Sequence, residues 1–252
     1  MIRDQRAFKM TIAYEGTAYF GWQLQKGQIT VQEVLEKAIQ SITREKIRVI
    51  ASGRTDTGVH ALGQIAHFRS KTKLSLKSLK RAINSRLPLD VRILKFQNAP
   101  QDFHAQYWTK GKIYQYKIWN DTELPVFERR TLLHHPGFLD IHQMRGAVKG
   151  LIGRHDFSSF SVNPHLKRDL KNSPVRRMNR ASVVKKGPCI TITLEADGFL
   201  YKMVRSIVGT LIEVGEGKLT VEEFKKIFHG KNRSLAGQTA PPQGLCLVRV
   251  KY

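Results

Sequence analysis

The amino-acid sequence predicts an α+β fold in which helices cover one face of a sheet. Strand-like and helix-like spacings of apolar residues alternate along all 252 residues, without heptads or low-complexity tracts. The alternation occurs twice, in halves that meet near residue 105, so we expect domains of residues 1–105 and 106–252. A chain of this length buries roughly three-quarters of its unfolded surface, which is enough for a core without staples.

The first half begins with a strand and then a helix that opens at Thr30, where Glu33 has capping-box spacing. Apolar residues follow Thr30 at helical intervals, and a basic helix and further strands come after them. The predicted elements are strands at 8–14, 47–51, 64–68 and 91–97, and helices at 31–42 and 75–83.

The second half repeats this mixture. Asp140 is the expected N-cap of one helix, and Thr220 with Glu223 forms the capping box of another. A hairpin is predicted around Lys186-Gly187-Pro188, and residues 161–175 are predicted to be a surface loop. The predicted elements are strands at 113–119, 181–184, 189–196 and 245–251, and helices at 141–151, 200–214 and 220–228.

The charge balance indicates a polyanionic partner. Lys and Arg number 43 against 20 Asp and Glu, for a formal net charge of +23. Solubility alone needs a net charge of only about 2–8, so nucleic acid is the favoured partner. The basic runs at 69–86 and 167–186 are candidate contact surfaces, with solvated faces as the alternative.

Several other classes of protein are disfavoured by the sequence. Two cysteines are too few for a disulfide framework or a Cys-rich zinc site. The histidines show no HExxH pattern, so we do not expect a metal site, and no Rossmann fingerprint indicates a dinucleotide cofactor. We find no signal peptide, and charged residues interrupt the most apolar helix pattern, so we expect a cytoplasmic protein without a membrane span.

Asp56 is the most informative single residue. It lies in the polar turn Gly53-Arg-Thr-Asp-Thr-Gly58, directly after an apolar run, with Arg54 two positions before it. A polyanion-binding surface gains nothing from a carboxylate, so an isolated Asp there indicates chemistry on the polyanion. The alternative is a structural Asx turn, in which the side chain bonds a nearby backbone N–H.

Two further residues are candidates from their positions. Arg205 falls beside the apolar stripe of the helix at 200–214, where it either extends to solvent or projects into a cleft to hold a carboxylate ionised. Tyr114 shares one face of its strand with Tyr116, and Lys117 lies on the other. Aromatic and basic residues interleaved in this way suit base stacking and phosphate contact, while cross-strand packing is the alternative.

Taken together, a series of short motifs resembles the tRNA pseudouridine synthase A family over nearly the whole chain. Each motif is weak alone, but their order is highly specific. The motifs are Tyr14-Glu-Gly-Thr, Gly21-Trp-Gln, Thr30-Val-Gln, Gly53-Arg-Thr-Asp-Thr-Gly-Val-His-Ala61, Phe103-His-Ala105, Tyr114-Gln-Tyr, His155-Asp-Phe-Ser-Ser-Phe160, Met203-Val-Arg-Ser-Ile-Val-Gly209 and Pro241-Pro-Gln-Gly-Leu245.

The resemblance implies a fold and a reaction. The fold would be a mixed, largely antiparallel sheet flanked by helices, in two ferredoxin-like halves, and the protein would be a homodimer. The reaction would convert uridine to pseudouridine at nucleotides 38, 39 and 40 in the anticodon stem-loop of tRNA. No atoms are gained or lost in this isomerisation, so it requires no cofactor.

The resemblance also implies roles for individual residues. Asp56 would be the catalytic aspartate and Arg205 its partner, and Tyr114 would stack on the uracil. Arg54 would help to extrude the base, which costs a few kcal/mol. Many relatives carry Arg just before the tyrosine, and here Lys110 and Lys112 would make similar phosphate contacts without the bidentate fork of arginine.

Two other functions remain as alternatives. A non-catalytic RNA-binding protein would explain the charge and the aromatic residues, but not Arg54, Asp56 and Arg205 in one set. A metal-dependent nuclease needs clustered carboxylates, whereas the acidic residues here are scattered. Within the favoured reaction, the sequence leaves open whether the aspartate attacks C1′ or removes the 2′ proton.

Overall fold

The computed structural model describes residues 5–162 and 173–252, and the chain divides into two compact units. Unit 1 contains residues 1–110 together with 246–252, and unit 2 contains residues 111–245. In chain order the elements are β1 (Arg6–Tyr14), α1 (Val31–Thr43), β2 (Ile50–Ala51), β3 (His60–Ser70), α2 (Leu76–Asn84), β4 (Val91–Ala99), β5 (Gly111–Trp119), β6 (Leu133–His134), α3 (Ile141–Lys149), β7 (Gly153–Asp156), β8 (Val175–Lys186), β9 (Cys189–Ala196), α4 (Met203–Gly215), α5 (Val221–His229) and β10 (Leu245–Lys251).

Unit 1 has a ferredoxin-like arrangement. Its first six elements run β-α-β-β-α-β, and the strands lie in the order β4-β1-β3-β2 with antiparallel pairing throughout. The last strand, β10, pairs in parallel with the start of β3, where Cys246 lies opposite His60. Alternate side chains of β1, including Phe8 and Ile12, are fully buried, and the Phe8 ring stacks on Phe68 at 5.2 Å.

Unit 2 repeats the first part of that topology. Its strands lie in the order β5-β9-β8-β7, with β6 beside the end of β5. The series β5, α3, β8, β9, α4 matches the series β1, α1, β2, β3, α2 in both element type and strand neighbours. The predicted α+β fold with ferredoxin-like halves and a largely antiparallel sheet is therefore confirmed.

Several predicted element boundaries differ from the structure for identifiable reasons. Strand β2 is shorter than predicted because the backbone of Val49 bonds side chains of α1: its N–H donates to Glu36 and its carbonyl accepts from Gln32. Helix α4 begins at Met203 rather than at residue 200, since Lys202 has a left-handed backbone with φ 58°. The predicted loop at 161–175 lies mostly outside the described residues, as does the start of the basic run at 167–186.

The helix caps follow the sequence closely. Thr30 caps α1, Asp140 caps α3, and Thr220 and Glu223 form the complete capping box of α5. At α1 the predicted capping box is half formed: the N–H of Glu33 donates to the Thr30 hydroxyl at 3.3 Å, but the carboxylate of Glu33 pairs with Lys37 at 2.6 Å. Within residues 5–162 and 173–252, no helix is both long and apolar enough to cross a membrane.

Candidate active site

The Asp56 turn connects β2 to β3 in unit 1. Its backbone closes where the N–H of Val59 donates to the carbonyl of Asp56 at 3.1 Å. The intervening Gly58 has φ +76°, a left-handed conformation that glycine adopts without strain. Thr55 is buried, whereas Arg54 is exposed and Asp56 is half-buried. The turn therefore directs Thr55 inward and leaves Asp56 partly accessible to solvent.

A buried polar network holds the N-terminal side of this turn. The Tyr14 hydroxyl and the Thr55 hydroxyl are 2.8 Å apart. The Gln64 amide donates to the carbonyl of Gly53 at 3.0 Å and accepts from the Ser52 hydroxyl at 2.7 Å. Burial raises the pKa of Tyr14, so its hydroxyl keeps its proton at neutral pH. Asp56 thus follows a segment whose position is fixed by side chains from β1 and β3.

The segment before α1 holds the turn from another side. The N–H of Trp22 donates to the carbonyl of Thr55 at 3.0 Å, and the N–H of Gly58 donates to the carbonyl of Tyr19 at 3.3 Å. Gly21 has φ +78°, and a Cβ there would lie 2.5 Å from the Thr55 carbonyl oxygen. Glycine at this position is required both for the backbone conformation and for the close approach of the two segments.

His60 anchors the far end of the turn as a neutral imidazole. Its Nδ1 accepts from the N–H of Gly16 at 2.8 Å, while a carboxylate oxygen of Glu15 lies 3.6 Å from the same nitrogen. A ring nitrogen that accepts a hydrogen bond carries no proton, so the contact with Glu15 is not an ion pair with that nitrogen. The 2.8 Å bond thus joins the His60 ring to the backbone at Gly16.

In unit 2, Tyr114 and Arg205 are both held by packing. Tyr114 is 8% exposed, lies opposite Leu194 on β9, and meets the ring of Phe199 edge-to-face at 5.1 Å. The Nε of Arg205 donates to the carbonyl of Ala240 at 2.8 Å, and the N–H of Ala240 donates to the carbonyl of Arg205 at 3.0 Å. The half-buried guanidinium of Arg205 is therefore oriented by the 238–241 segment rather than extended freely into solvent.

That segment approaches α4 closely because position 209 is glycine. A Cβ on Gly209 would lie 1.7 Å from the carbonyl oxygen of Gln238. The same segment accepts the hydroxyl of Tyr116, which donates to the carbonyl of Pro241 at 2.8 Å. Tyr114 and Tyr116 thus share one face of β5, as the alternation predicts, and the structure shows that this face is buried.

The two predicted phosphate-binding lysines differ in environment. Lys110 is exposed at the end of unit 1, and its N–H donates to the carbonyl of Lys251 at 2.9 Å. Lys112 is half-buried, and burial, with a smaller effect from Arg176, lowers its pKa to about 8. Lys112 therefore keeps most of its charge at pH 7, at a cost in desolvation that a nearby anion would relieve.

The family model described as tRNA pseudouridine synthase matches residues 10–108 and 147–252 of this chain. This match covers well over half of the sequence. The chain belongs to the tRNA pseudouridine synthase family. The matched residues include Arg54, Asp56 and Arg205, while Lys110, Lys112 and Tyr114 lie between the two matched segments.

Curated members of the family resemble the chain along its length. The protein named tRNA pseudouridine synthase A 2 of Clostridium perfringens is 42% identical over 247 residues, covering 98% of this chain and 100% of the relative. The tRNA pseudouridine synthase A of Thermoanaerobacter sp. is 43% identical over 248 residues, covering 98% and 100%. That of Geobacillus kaustophilus is 43% identical over 245 residues, covering 97% and 93%.

For a member of the tRNA pseudouridine synthase family, the structure places the candidate residues in two groups. Arg54, Asp56 and Lys110 belong to unit 1, whereas Lys112, Tyr114 and Arg205 belong to unit 2. The pairing of Asp56 with Arg205 stays a prediction. In the part of the chain that the structure describes, no group of three or more His, Cys, Asp and Glu side chains is arranged to hold a metal ion.

The sequence did not single out the residues that support the turn. Tyr14, Ser52 and Gln64 are fully or almost fully buried and bond one another or the turn itself. The sequence shows that a polar residue is tolerated within a strand pattern, but it does not show which group forms a hydrogen bond with that residue. The nearest sequence signal is Gln64, which with His67 is one of two polar residues in the predicted strand at 64–68 that follows the turn.

Proposed function

We propose that this chain isomerises uridine to pseudouridine at nucleotides 38, 39 and 40 of the tRNA anticodon stem-loop, with Asp56 as the catalytic carboxylate. Membership of the tRNA pseudouridine synthase family supports the reaction. The observation that carries the choice of Asp56 is its position: a half-buried carboxylate on a turn fixed from three sides, beside an exposed arginine. The net charge of +23 suits a substrate rich in phosphates.

The reaction breaks the N1–C1′ glycosidic bond and joins C1′ to C5 of the rotated uracil. The proton on C5 leaves, and N1 gains a proton, so the overall composition does not change. Asp56 must be ionised, whether it attacks C1′ or removes the 2′ proton. In the first case the carboxylate is later displaced by C5, and in the second the proton is returned to C2′.

The other candidate residues act on the base and on the phosphates. Arg54 is exposed next to the turn, where it can occupy the space that the extruded uridine leaves. Tyr114 supplies a flat ring for the uracil, and Arg205 holds the carboxylate ionised. Lys110 and Lys112 contact phosphates, and for Lys112 a phosphate would offset the desolvation of its ammonium group.

The assembly and location follow from the same proposal. We infer a homodimer from the family resemblance, and a cytoplasmic enzyme because its tRNA substrate is there. Sedimentation of the purified protein, with and without tRNA, measures its oligomeric state. A monomer at the concentrations where the enzyme is active would contradict the homodimer.

The deciding experiment measures tritium release from tRNA labelled at uracil C5. Wild type should release tritium, and Asp56→Asn should not, while its tRNA affinity stays within about tenfold, or 1.4 kcal/mol. Asp121→Asn is a matched control, since Asp121 is an exposed aspartate in unit 2 whose carboxylate accepts from the N–H of Thr122. It should release tritium at the wild-type rate.

Each alternative gives a different result. Release by Asp56→Asn at the wild-type rate would show that Asp56 is not the catalytic group. Tight binding with no release from wild type would favour a non-catalytic RNA-binding protein. Replacing uridines 38, 39 and 40 one at a time by cytidine then shows which positions react, and release that persists with all three replaced would refute the proposed sites.

A further inference from the structure

A hydrogen-bonded aromatic turn lies between β4 and β5 in unit 1. The His104 carbonyl accepts from the N–H of Trp108 at 3.0 Å, and its Nδ1 lies 3.3 Å from the N–H of Tyr107. The carbonyl of Ala105 accepts from the hydroxyl of Tyr252 at 2.7 Å. These bonds fix both the backbone of the turn and the plane of the His104 ring.

The rings on this turn are exposed although they are ordered. Tyr107 is 79% exposed, and its ring stacks on His104 with centroids 4.0 Å apart and planes at 18°. Trp108 is 42% exposed and meets Phe103 edge-to-face at 5.4 Å. We call His104, Tyr107 and Trp108 the aromatic platform. Stacking on His104 occupies one face of Tyr107, and the high exposure of Tyr107 leaves ring surface available to a ligand.

Three cations lie near the residues of this turn or follow it in the chain. The ammonium of Lys9 lies 3.9 Å from the ring centroid of Tyr252 and 4.9 Å from that of Phe103. Arg69 donates to the carbonyl of Gln101 at 2.8 Å. Lys110 follows the turn and is exposed.

The platform itself is uncharged at neutral pH. Burial, with a smaller contribution from Arg69, lowers the pKa of His104. Burial, followed by His104 and Arg69, lowers the pKa of His67 beneath it to about 4. The positive charge of this region therefore comes from the lysines and Arg69, and the stacked rings stay neutral.

We propose that the aromatic platform stacks an unpaired nucleobase of the tRNA substrate, with Lys9, Arg69 and Lys110 contacting the phosphates beside it. The proposal takes tRNA as the substrate and goes beyond the isomerisation, since the platform takes no part in the chemistry. Aromatic faces interleaved with cations are the usual means of holding unpaired bases. A second copy of this chain fits less well, because two surfaces of the same positive charge would meet.

The test compares tRNA affinity of wild type with that of Tyr107→Ala and Trp108→Ala. Each substitution removes a ring on which a base can stack and should weaken binding by about tenfold, which corresponds to about 1.4 kcal/mol. Tyr107→Phe keeps the ring and should bind like wild type. Phe127→Ala is a matched control, because Phe127 is 94% exposed and lies in unit 2. Phe127→Ala should also release tritium at the wild-type rate.

Trp108 provides an independent signal of stacking. Addition of tRNA should quench tryptophan fluorescence, and Trp108→Phe should remove most of that quenching while binding normally. Unchanged affinity in Tyr107→Ala would overturn the proposal. If the same variant also changed the oligomeric state, the platform would instead contact a second copy of the chain. Loss of affinity with no tritium release from wild type would refute the isomerisation and leave the platform standing.

Discussion

Substitution of Gln64 by leucine should destabilise the protein and loosen the Asp56 turn. Gln64 is fully buried, and leucine has a similar size, so the change removes hydrogen bonds without a large cavity. It leaves the buried Ser52 hydroxyl and the Gly53 carbonyl without their partners at 2.7 and 3.0 Å. An orphaned buried polar group costs about 1–3 kcal/mol, so we expect a loss of about 3 kcal/mol in the free energy of unfolding.

A second substitution separates the cost of the orphaned Ser52 hydroxyl from that of the orphaned Gly53 carbonyl. Ser52→Ala in the Gln64→Leu background removes one orphaned hydroxyl and should recover about 1–2 kcal/mol, a coupling that a double-mutant cycle measures. Gln115→Leu is the matched control. Gln115 is half-buried and its amide lies 3.4 Å from the Thr193 hydroxyl, so its loss should change stability by less than about 0.5 kcal/mol. Urea denaturation followed by circular dichroism is measured for wild type, Gln64→Leu, Ser52→Ala, the double variant and Gln115→Leu.

The activity of Gln64→Leu tests whether stability and catalysis are linked at the turn. Misplacement of a catalytic group by about 1 Å can reduce the rate by about 100-fold. We therefore expect kcat for tritium release to fall at least tenfold, with little change in KM. A variant within about 0.5 kcal/mol of wild type and with full kcat would show that Gln64 does not position the turn.

Two substitutions in unit 2 test the burial of the Lys112 ammonium group and the close approach of the backbone at Gly209. Lys112→Met should stabilise the protein at pH 7. The folded pKa of Lys112 is about 8 against 10.5 ordinarily, so the unfolded chain binds more protons between these values and wild-type stability rises with pH there. The advantage of the variant in urea denaturation should therefore shrink from pH 8 to 10, and a constant difference would contradict the lowered pKa. Gly209→Ala should destabilise by at least about 1–3 kcal/mol, because its Cβ would lie 1.7 Å from the Gln238 carbonyl oxygen. Gly146→Ala should not destabilise the protein, because its Cβ would meet a side chain at an ordinary distance of 3.4 Å. Equal denaturation midpoints for the two variants would refute the argument from close approach at Gly209.

Local signals in the sequence were sufficient for the fold class and for most elements. The structure has the predicted N-caps at Thr30, Asp140 and Thr220. An N-cap side chain bonds an N–H no more than three residues away, so it needs no distant partner and can be predicted locally. Alternation placed Tyr114 and Tyr116 on one face of β5 for the same reason, while the burial of that face is seen only in the structure. Such features depend on neighbours along the chain.

Features that depend on distant residues were not predictable. Strand β8 begins at Val175, before its predicted start at residue 181, because β7 supplies pairing partners for its first residues. The shortening of β2 depends on side chains of α1 that reach the backbone of Val49. In each case the deciding contact joins segments that no local pattern connects.

The candidate site likewise has some features that the sequence predicted and others that only the structure showed. The composition and spacing around Asp56 drew attention to that residue, and the resemblance to a family gave Arg205 and Tyr114 roles. The bonds of Tyr14 and Gln64 to the turn required the structure, as did the lowered pKa of Lys112. Burial is a property of the assembled core, so neither could be derived from residue type.

The return of β10 to unit 1 sets an order of events during synthesis. Residues 246–252 complete unit 1, yet the ribosome makes them after all of unit 2. Until then β3 lacks its parallel neighbour at His60, and the Ala105 carbonyl lacks the Tyr252 hydroxyl. Pairing over so long a separation is slow to form. A nascent chain therefore forms the Ala105–Tyr252 contact beneath the aromatic platform only after the strand β10 and Tyr252 have been synthesised.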